Sequence, residues 1–142
     1  MKRIVVIILV ICTLLFSGCA VLQAMKEGTK EAMTLSNEFC SALSEGDIDA
    51  AKECLHTEST PNKSELAQYI SSLEQKYNID FSAGIVLKKA ISTESAYYDS
   101  RYDGSVYSFT YNAVIGGKST YMFFTIVKND NGYGIYNFGI EQ

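Results

Sequence analysis

No tryptophan occurs among the 142 residues, and there is one proline and one histidine. A single histidine excludes sites that need two, such as a three-histidine zinc centre or a His-Glu-x-x-His helix. One proline and 47% apolar residues exclude long disorder and low complexity. Positive charge is also scarce, 12 Lys and Arg against 16 Asp and Glu, for a net of −4. Gripping nucleic-acid phosphates requires a basic face, so no nucleic-acid partner is expected. Tyrosine is abundant, with 10 residues beside 7 phenylalanines. The length is that of one domain.

The first segment reads as an address. Lys2 and Arg3 precede an apolar run from Ile4 to Phe16, broken by Thr13, and Ser17-Gly18-Cys19 follows. Positive, then apolar, then small is the layout of a secretory signal peptide. Leu15-Phe16-Ser17-Gly18-Cys19 resembles the lipobox of bacterial lipoproteins. That resemblance implies diacylglycerol on the Cys19 thiol and cleavage just before it. It also implies a protein held by its lipid on the extracytoplasmic face of the bacterial cell membrane. Phe16 stands where that family usually has Leu, and Leu15 lies one place earlier. An uncleaved membrane helix is the alternative, since Ile4 to Leu22 is long enough to span. The expected organisation is a signal peptide over 1–18, an anchor and short tether over 19–24, and a single domain over 25–142. Cleavage removes Lys2 and Arg3 but no acid, so the mature body is more acidic and depends on its anchor rather than on a basic patch.

Met25, Gly28, Ala32, Leu35, Phe39, Ala42 and Leu43 recur in steps of three and four, which predicts an amphipathic helix over 25–43. Gly46 is a stop and Asp47 a cap for a second helix to about Leu55, with Ile48, Ala51 and Leu55 inward. Asn62 with Glu65 is a capping signature for a third helix carrying Leu66, Tyr69, Ile70, Leu73 and Tyr77, ending at Asn78. Cys40 and Cys54 flank the Gly46-Asp47 corner at similar distances. In an oxidising compartment a disulfide between them is expected, with two buried free thiols as the alternative. His56 follows Leu55 at a helix end, where an imidazolium would sit near the last carbonyls.

Beyond Asp80 the period changes to two. Ile85 to Ser92 and Ser95 to Tyr98 read as strands, and Asp99 to Gly104 as a polar turn. Tyr107, Phe109, Tyr111, Ala113 and Ile115 then alternate with Ser108, Thr110 and Asn112. Gly116-Gly117 and Asn129-Asp130-Asn131-Gly132 are hairpin turns. They separate the strands Thr120 to Lys128 and Tyr133 to Ile140. The fold class is therefore α+β, N-terminal helices on a curved antiparallel sheet of four to five strands. The inner face is expected to carry Tyr107, Phe109, Tyr111, Phe124, Tyr136 and Phe138, packed on Leu35, Phe39 and Ile70. Lys88-Lys89 reads as a lysine guard on a strand edge.

This order resembles the nuclear-transport-factor-two-like superfamily of cystatin-like cone folds. Three stretches carry the resemblance: Phe39-Cys40-Ser41-Ala42-Leu43-Ser44-Glu45-Gly46-Asp47, the strand pair across Gly116-Gly117, and Gly132-Tyr133-Gly134-Ile135-Tyr136-Asn137-Phe138. The superfamily includes isomerases, dehydratases and cyclases whose general base, where used, is an acid or a His-Asp pair inside the cone. Neither Tyr107 to Ile115 nor Tyr121 to Val127 contains an acid. The expectation is accordingly a non-catalytic binding domain without catalytic residues, metal or cofactor. Its pocket would be lined by Tyr107, Phe109, Tyr111, Phe124, Tyr136 and Phe138. Its partner would be a small apolar ligand or another cell-envelope protein, and a cone-superfamily enzyme is the remaining alternative.

Overall fold

A computed structural model of the chain describes the backbone of residues 2–141 and the side chains of residues 20–141. Cys19 and the apolar run before it lie outside the described side chains, and the expected lipidation falls there. Among the described residues, no helix is long and apolar enough to cross a membrane.

The helices follow local chemistry. α1 (Lys2–Glu45) is one continuous helix, so the stretch 19–24, expected as a tether, is helical. Its buried stripe at Gly28, Ala32, Ser36, Phe39, Cys40 and Leu43 keeps the three-and-four spacing. Gly46 ends it at φ 71°. Asp47 accepts the Ala50 N–H at 3.0 Å and caps α2 (Ile48–Glu53). Asn62 and Glu65 close a capping box on α3 (Lys63–Tyr77), and Asn78 terminates it at φ 50°. Leu55, expected inside the second helix, instead leaves it and bridges Ile135 at the sheet edge.

The sheet is a four-stranded antiparallel meander, β1 (Ile85–Asp99), β2 (Gly104–Ile115), β3 (Lys118–Asn129) and β4 (Gly132–Glu141), adjacent in chain order. The two strands expected at Ile85–Ser92 and Ser95–Tyr98 are one strand. Its register against β2 shifts between Leu87 and Ala90, between Ala90 and Ser92, and between Ala96 and Asp99. Each bulge interrupts the period-two alternation, which is why the sequence reads as two short pieces. β2 and β3 pair without a slip from Gly104↔Asn129 to Ile115↔Lys118.

The inner face of β2 meets the stripe of α1 as periodicity predicts: Tyr107, Phe109, Tyr111, Ala113 and Ile115 are all buried. Phe39 stands edge-on between Phe124, at 6.2 Å between ring centres, and Phe138, at 4.6 Å. Tyr111 lies tilted against Phe109 at 5.9 Å and meets Phe124 edge-on at 6.0 Å. Edge-to-face aromatic pairs at such separations add about 0.5–1.5 kcal/mol each beyond their burial. Ile70 is buried and Leu35 half-buried against this cluster.

Tyr136 is the exception. β4 slips against β3 between Thr125 and Ile126, so that Thr125 pairs with Asn137 and Ile126 with Ile135. The slip leaves Tyr136 without a partner and lets both Ile135 and Phe138 turn inward. Tyr136 is half-buried outside the core, edge-on to Tyr102 at 5.0 Å and tilted against His56 at 5.8 Å.

Candidate functional site

The expected pocket is occupied by its own lining. Phe109, Tyr111, Phe124 and Phe138 belong to one buried cluster closed by Phe39, Met122 and Ile126. Tyr111, expected among the pocket-lining residues, offers no hydroxyl to a ligand. Its Oη is instead buried and has no hydrogen-bond partner. Burial raises its pKa, and the Ser36 hydroxyl is spent on the Ala32 carbonyl at 3.0 Å.

The expected Cys40–Cys54 disulfide is not formed, and both thiols are free. The Cys40 thiol points into the core, donating to Met122 Sδ at 3.9 Å. Cys54 caps α2 and turns back on the Ala50 carbonyl at 3.5 Å. The corner brings the residues near one another, but their side chains have separate partners. Burial, with Cys54 adding to it, pushes the Cys40 thiol up to about 12. Burial first, then the Glu38 and Glu53 carboxylates, raises Cys54. Neither setting activates a thiolate.

His56 departs furthest from its sequence reading. The chain leaves α2 at Cys54 and runs along the free edge of β4. There the Ile135 N–H donates to the Cys54 carbonyl and the His56 N–H to the Ile135 carbonyl, both at 2.9 Å. His56 is thereby carried off the helix end and is 0% exposed. Its Nδ1 accepts the Glu58 N–H at 3.2 Å, so the proton sits on Nε2, which donates to Asn129 Oδ1 at 3.1 Å. Asn129 Nδ2 in turn donates to Glu58 Oε2 and to the Tyr102 carbonyl. Asn131 donates to Glu58 Oε1 at 2.7 Å, and Thr57 Oγ1 to the Asn131 carbonyl at 2.7 Å. Local sequence carries little signal for this network, because Asn129 and Asn131 lie more than seventy positions from His56, Thr57 and Glu58.

Open space lies on the outside, at the end of the sheet nearest the start of the domain. A groove of about 540 Å³ runs between Ala24–Glu31 of α1 and the tips of the β1–β2 and β3–β4 hairpins. Tyr97, Tyr98 and Tyr107 line it together with Glu27, Glu31, Asp103, Asp130 and Lys128. Tyr107 is 5% exposed, and its hydroxyl lies against Gly28, where an added Cβ would fall 2.1 Å from Oη. Tyr98 Oη donates to Asp103 Oδ1 at 2.7 Å, and that hydrogen bond and the carboxylate charge raise the phenol's pKa. Beside it, Arg101 grips Asp99 through Nε and Nη2, which holds the Asp99 carboxyl below its usual range. The polar turn therefore carries its own cation. Of the expected pocket residues only Tyr107 reaches this groove; Phe138 and Tyr136 line a separate cleft against α3. A glycine within the helical stripe and a Tyr-Tyr pair before an acidic turn are the sequence signals that could have located it.

No protein-family model and no curated protein matches the chain. Among solved structures, it is similar to an NTF-2-like protein of unknown function from Shewanella oneidensis MR-1. That likeness has a TM-score of 0.53 and 14% identity, over 81% of this chain and 99% of the other. At that identity the likeness is one of architecture. Three helices followed by a curved four-stranded antiparallel sheet give this chain the NTF2-like α+β cone fold.

Proposed function

We propose that the protein is a lipid-anchored extracytoplasmic lipoprotein whose domain binds without catalysis, and that it binds on its exterior rather than inside its cone. Leu15-Phe16-Ser17-Gly18-Cys19 after an apolar run supports the anchor. One observation carries the binding mode: Phe39, Phe109, Tyr111, Phe124 and Phe138 fill the interior, while the groove beside α1 stays open. His56, the one imidazole, is committed to Glu58 and Asn129 at the periphery. General acid–base work needs a titratable group beside bound substrate. The interior cluster offers no carboxylate or imidazole, and its titratable groups are the stranded Tyr111 hydroxyl, the Cys40 thiol and Tyr107, whose hydroxyl lies against Gly28.

A second reading, a module that holds another envelope protein, is favoured by the exposed Val86, Ile91, Tyr97 and Tyr98 along β1. Mass spectrometry of membrane-extracted protein tests the anchor. A diacylglyceryl-modified N-terminal Cys19 is expected, and Cys19→Ser should release the domain. An intact Met1 or an unmodified Cys19 as the main species would defeat it. Cross-linking in cells from a photoreactive residue at Tyr97 separates the two modes of binding. A single protein adduct favours the module, and its absence favours the groove.

A further inference from the structure

We infer that the groove between α1 and the hairpin tips is a site for an organic ammonium group, an inference that rests on the exterior-binding reading above. Three observations converge on it. The first is charge. Four carboxylates line the groove, Glu27, Glu31, Asp103 and Asp130, against one ammonium, Lys128. Among the described residues none of the four forms an ion pair. The groove therefore presents an uncompensated negative field.

The second observation is aromatic surface. Tyr97 and Tyr98 are 58% and 61% exposed on a strand whose neighbours are mostly polar, and both turn surface to the groove. A cation over a tyrosine face gains roughly 0.5–1 kcal/mol where solvent reaches it, and more when water is excluded. The third is Tyr107. Its ring is buried, yet its hydroxyl lines the groove and makes no hydrogen bond among the described residues. Gly28 leaves the room that keeps this hydroxyl there. Its lone pair is an acceptor waiting for a donor.

The same features argue against a bare metal ion. Among the described residues no three His, Cys, Asp or Glu side chains converge closely enough to hold one. Spread carboxylates with aromatic walls suit a diffuse, partly apolar cation better than a small hard one. The ammonium can come from two sources. Along α1 the rise from Cys19 to Gly28 is about 14 Å. An anchored domain therefore holds the groove within reach of lipid headgroups as well as of free amines.

The test uses full-length protein in a non-ionic detergent at low salt. It is titrated with choline and with spermidine while tyrosine emission is followed, free of any tryptophan signal. A saturable change is expected. Glu31→Gln and Asp103→Asn should each weaken it about 5–10-fold, and Tyr107→Phe should weaken spermidine, whose N–H groups can reach the phenol oxygen, by a similar factor. The neutral isostere of choline, 3,3-dimethylbutanol, should be at least tenfold weaker. In a second arm the protein sits in phosphatidylglycerol vesicles with or without phosphatidylethanolamine. A response confined to that arm assigns the ammonium to a lipid headgroup. Silence toward every ammonium probe overturns the inference, as does equal binding of the neutral isostere. If those probes fail while Tyr107→Phe still alters the response to a total envelope-lipid extract, the binding-domain reading survives and only the ligand chemistry falls.

Discussion

The two edges of the sheet solve one problem in opposite ways. β4 is sealed: Cys54 and His56 hydrogen-bond to both sides of Ile135, the Tyr69 hydroxyl covers the Phe138 carbonyl, and Gly134, Ile135, Phe138, Gly139 and Ile140 are buried. β1 is the longest strand and is left open, with Val86, Ile91, Tyr97 and Tyr98 in solvent. An open edge invites pairing with other chains. β1 carries three register shifts and a Lys88-Lys89 pair, the devices that discourage such pairing. The sealed edge is where stability is concentrated. The open edge lends Tyr97 and Tyr98 to the groove at the hairpin tips, and binding surfaces are drawn from such less constrained regions.

Truncation should separate the edges most clearly. Phe138→Ala removes a ring packed on both Phe39 and Tyr69 and should cost about 3–5 kcal/mol. Ile91→Ala, 59% exposed on β1, should stay within about 0.5 kcal/mol. Urea denaturation of both variants reads the difference. Similar losses at the two positions would mean that β1 is covered in the protein as it exists.

The crossing at β4 should respond next. A Cβ on Gly134 would lie 2.5 Å from the backbone nitrogen of His56, where no flexible side chain can yield. Gly134→Ala should therefore cost about 2–3 kcal/mol through displaced backbone. His56→Ala at the same crossing strands the Glu58 N–H and leaves Asn129 Oδ1 with the Asn131 N–H as its one remaining donor among the described residues, and should cost about 1–3 kcal/mol. Hydrogen exchange should then quicken at Ile135 before it does in β2. Unchanged exchange there would show that the crossing is not what seals the edge.

These positions also mark what the sequence could tell. The helix caps at Asp47 and at Asn62 with Glu65 are contained in a few adjacent residues, and all were legible. So were the inner face of β2 and the inward Phe124 of β3, because the register between the two strands runs unbroken and the alternation of β2 survives. Legibility failed where one extra residue enters a strand. Bulges merged two expected strands into β1, and another put Tyr136 outside the core while drawing Ile135 in. It failed again where a partner lies far along the chain, as for His56 with Asn129, and for the two thiols that a shared corner brings near but does not join. Whether the cone is open or filled was beyond periodicity, since Phe39 closes it from another element.

Midway between the edges, on β2, Tyr111 should move stability the other way. Its buried Oη has no partner, and an unsatisfied buried polar group costs about 1–3 kcal/mol. Tyr111→Phe keeps the ring against Phe109 and Phe124 while removing that cost, so a gain of about 1 kcal/mol is expected. A rise in the urea midpoint at unchanged slope checks it. A fall would mean that the hydroxyl is satisfied by a water the core admits.

The smallest effect on stability should have the largest effect on behaviour. Lys88 and Lys89 sit where β1 slips against β2 between Leu87 and Ala90. Neither forms an ion pair among the described residues. Replacing both with threonine keeps a residue suited to strands and removes only the charge. The unfolding free energy should change by less than about 0.5 kcal/mol, since nothing packed is lost. Two like charges would then no longer oppose another strand laid along the same backbone, and the apolar side chains of Val86 and Ile91 on either side would favour it. Sedimentation should accordingly show concentration-dependent association in the double variant and none in the parent. If both stay monomeric, the bulges alone blunt the edge.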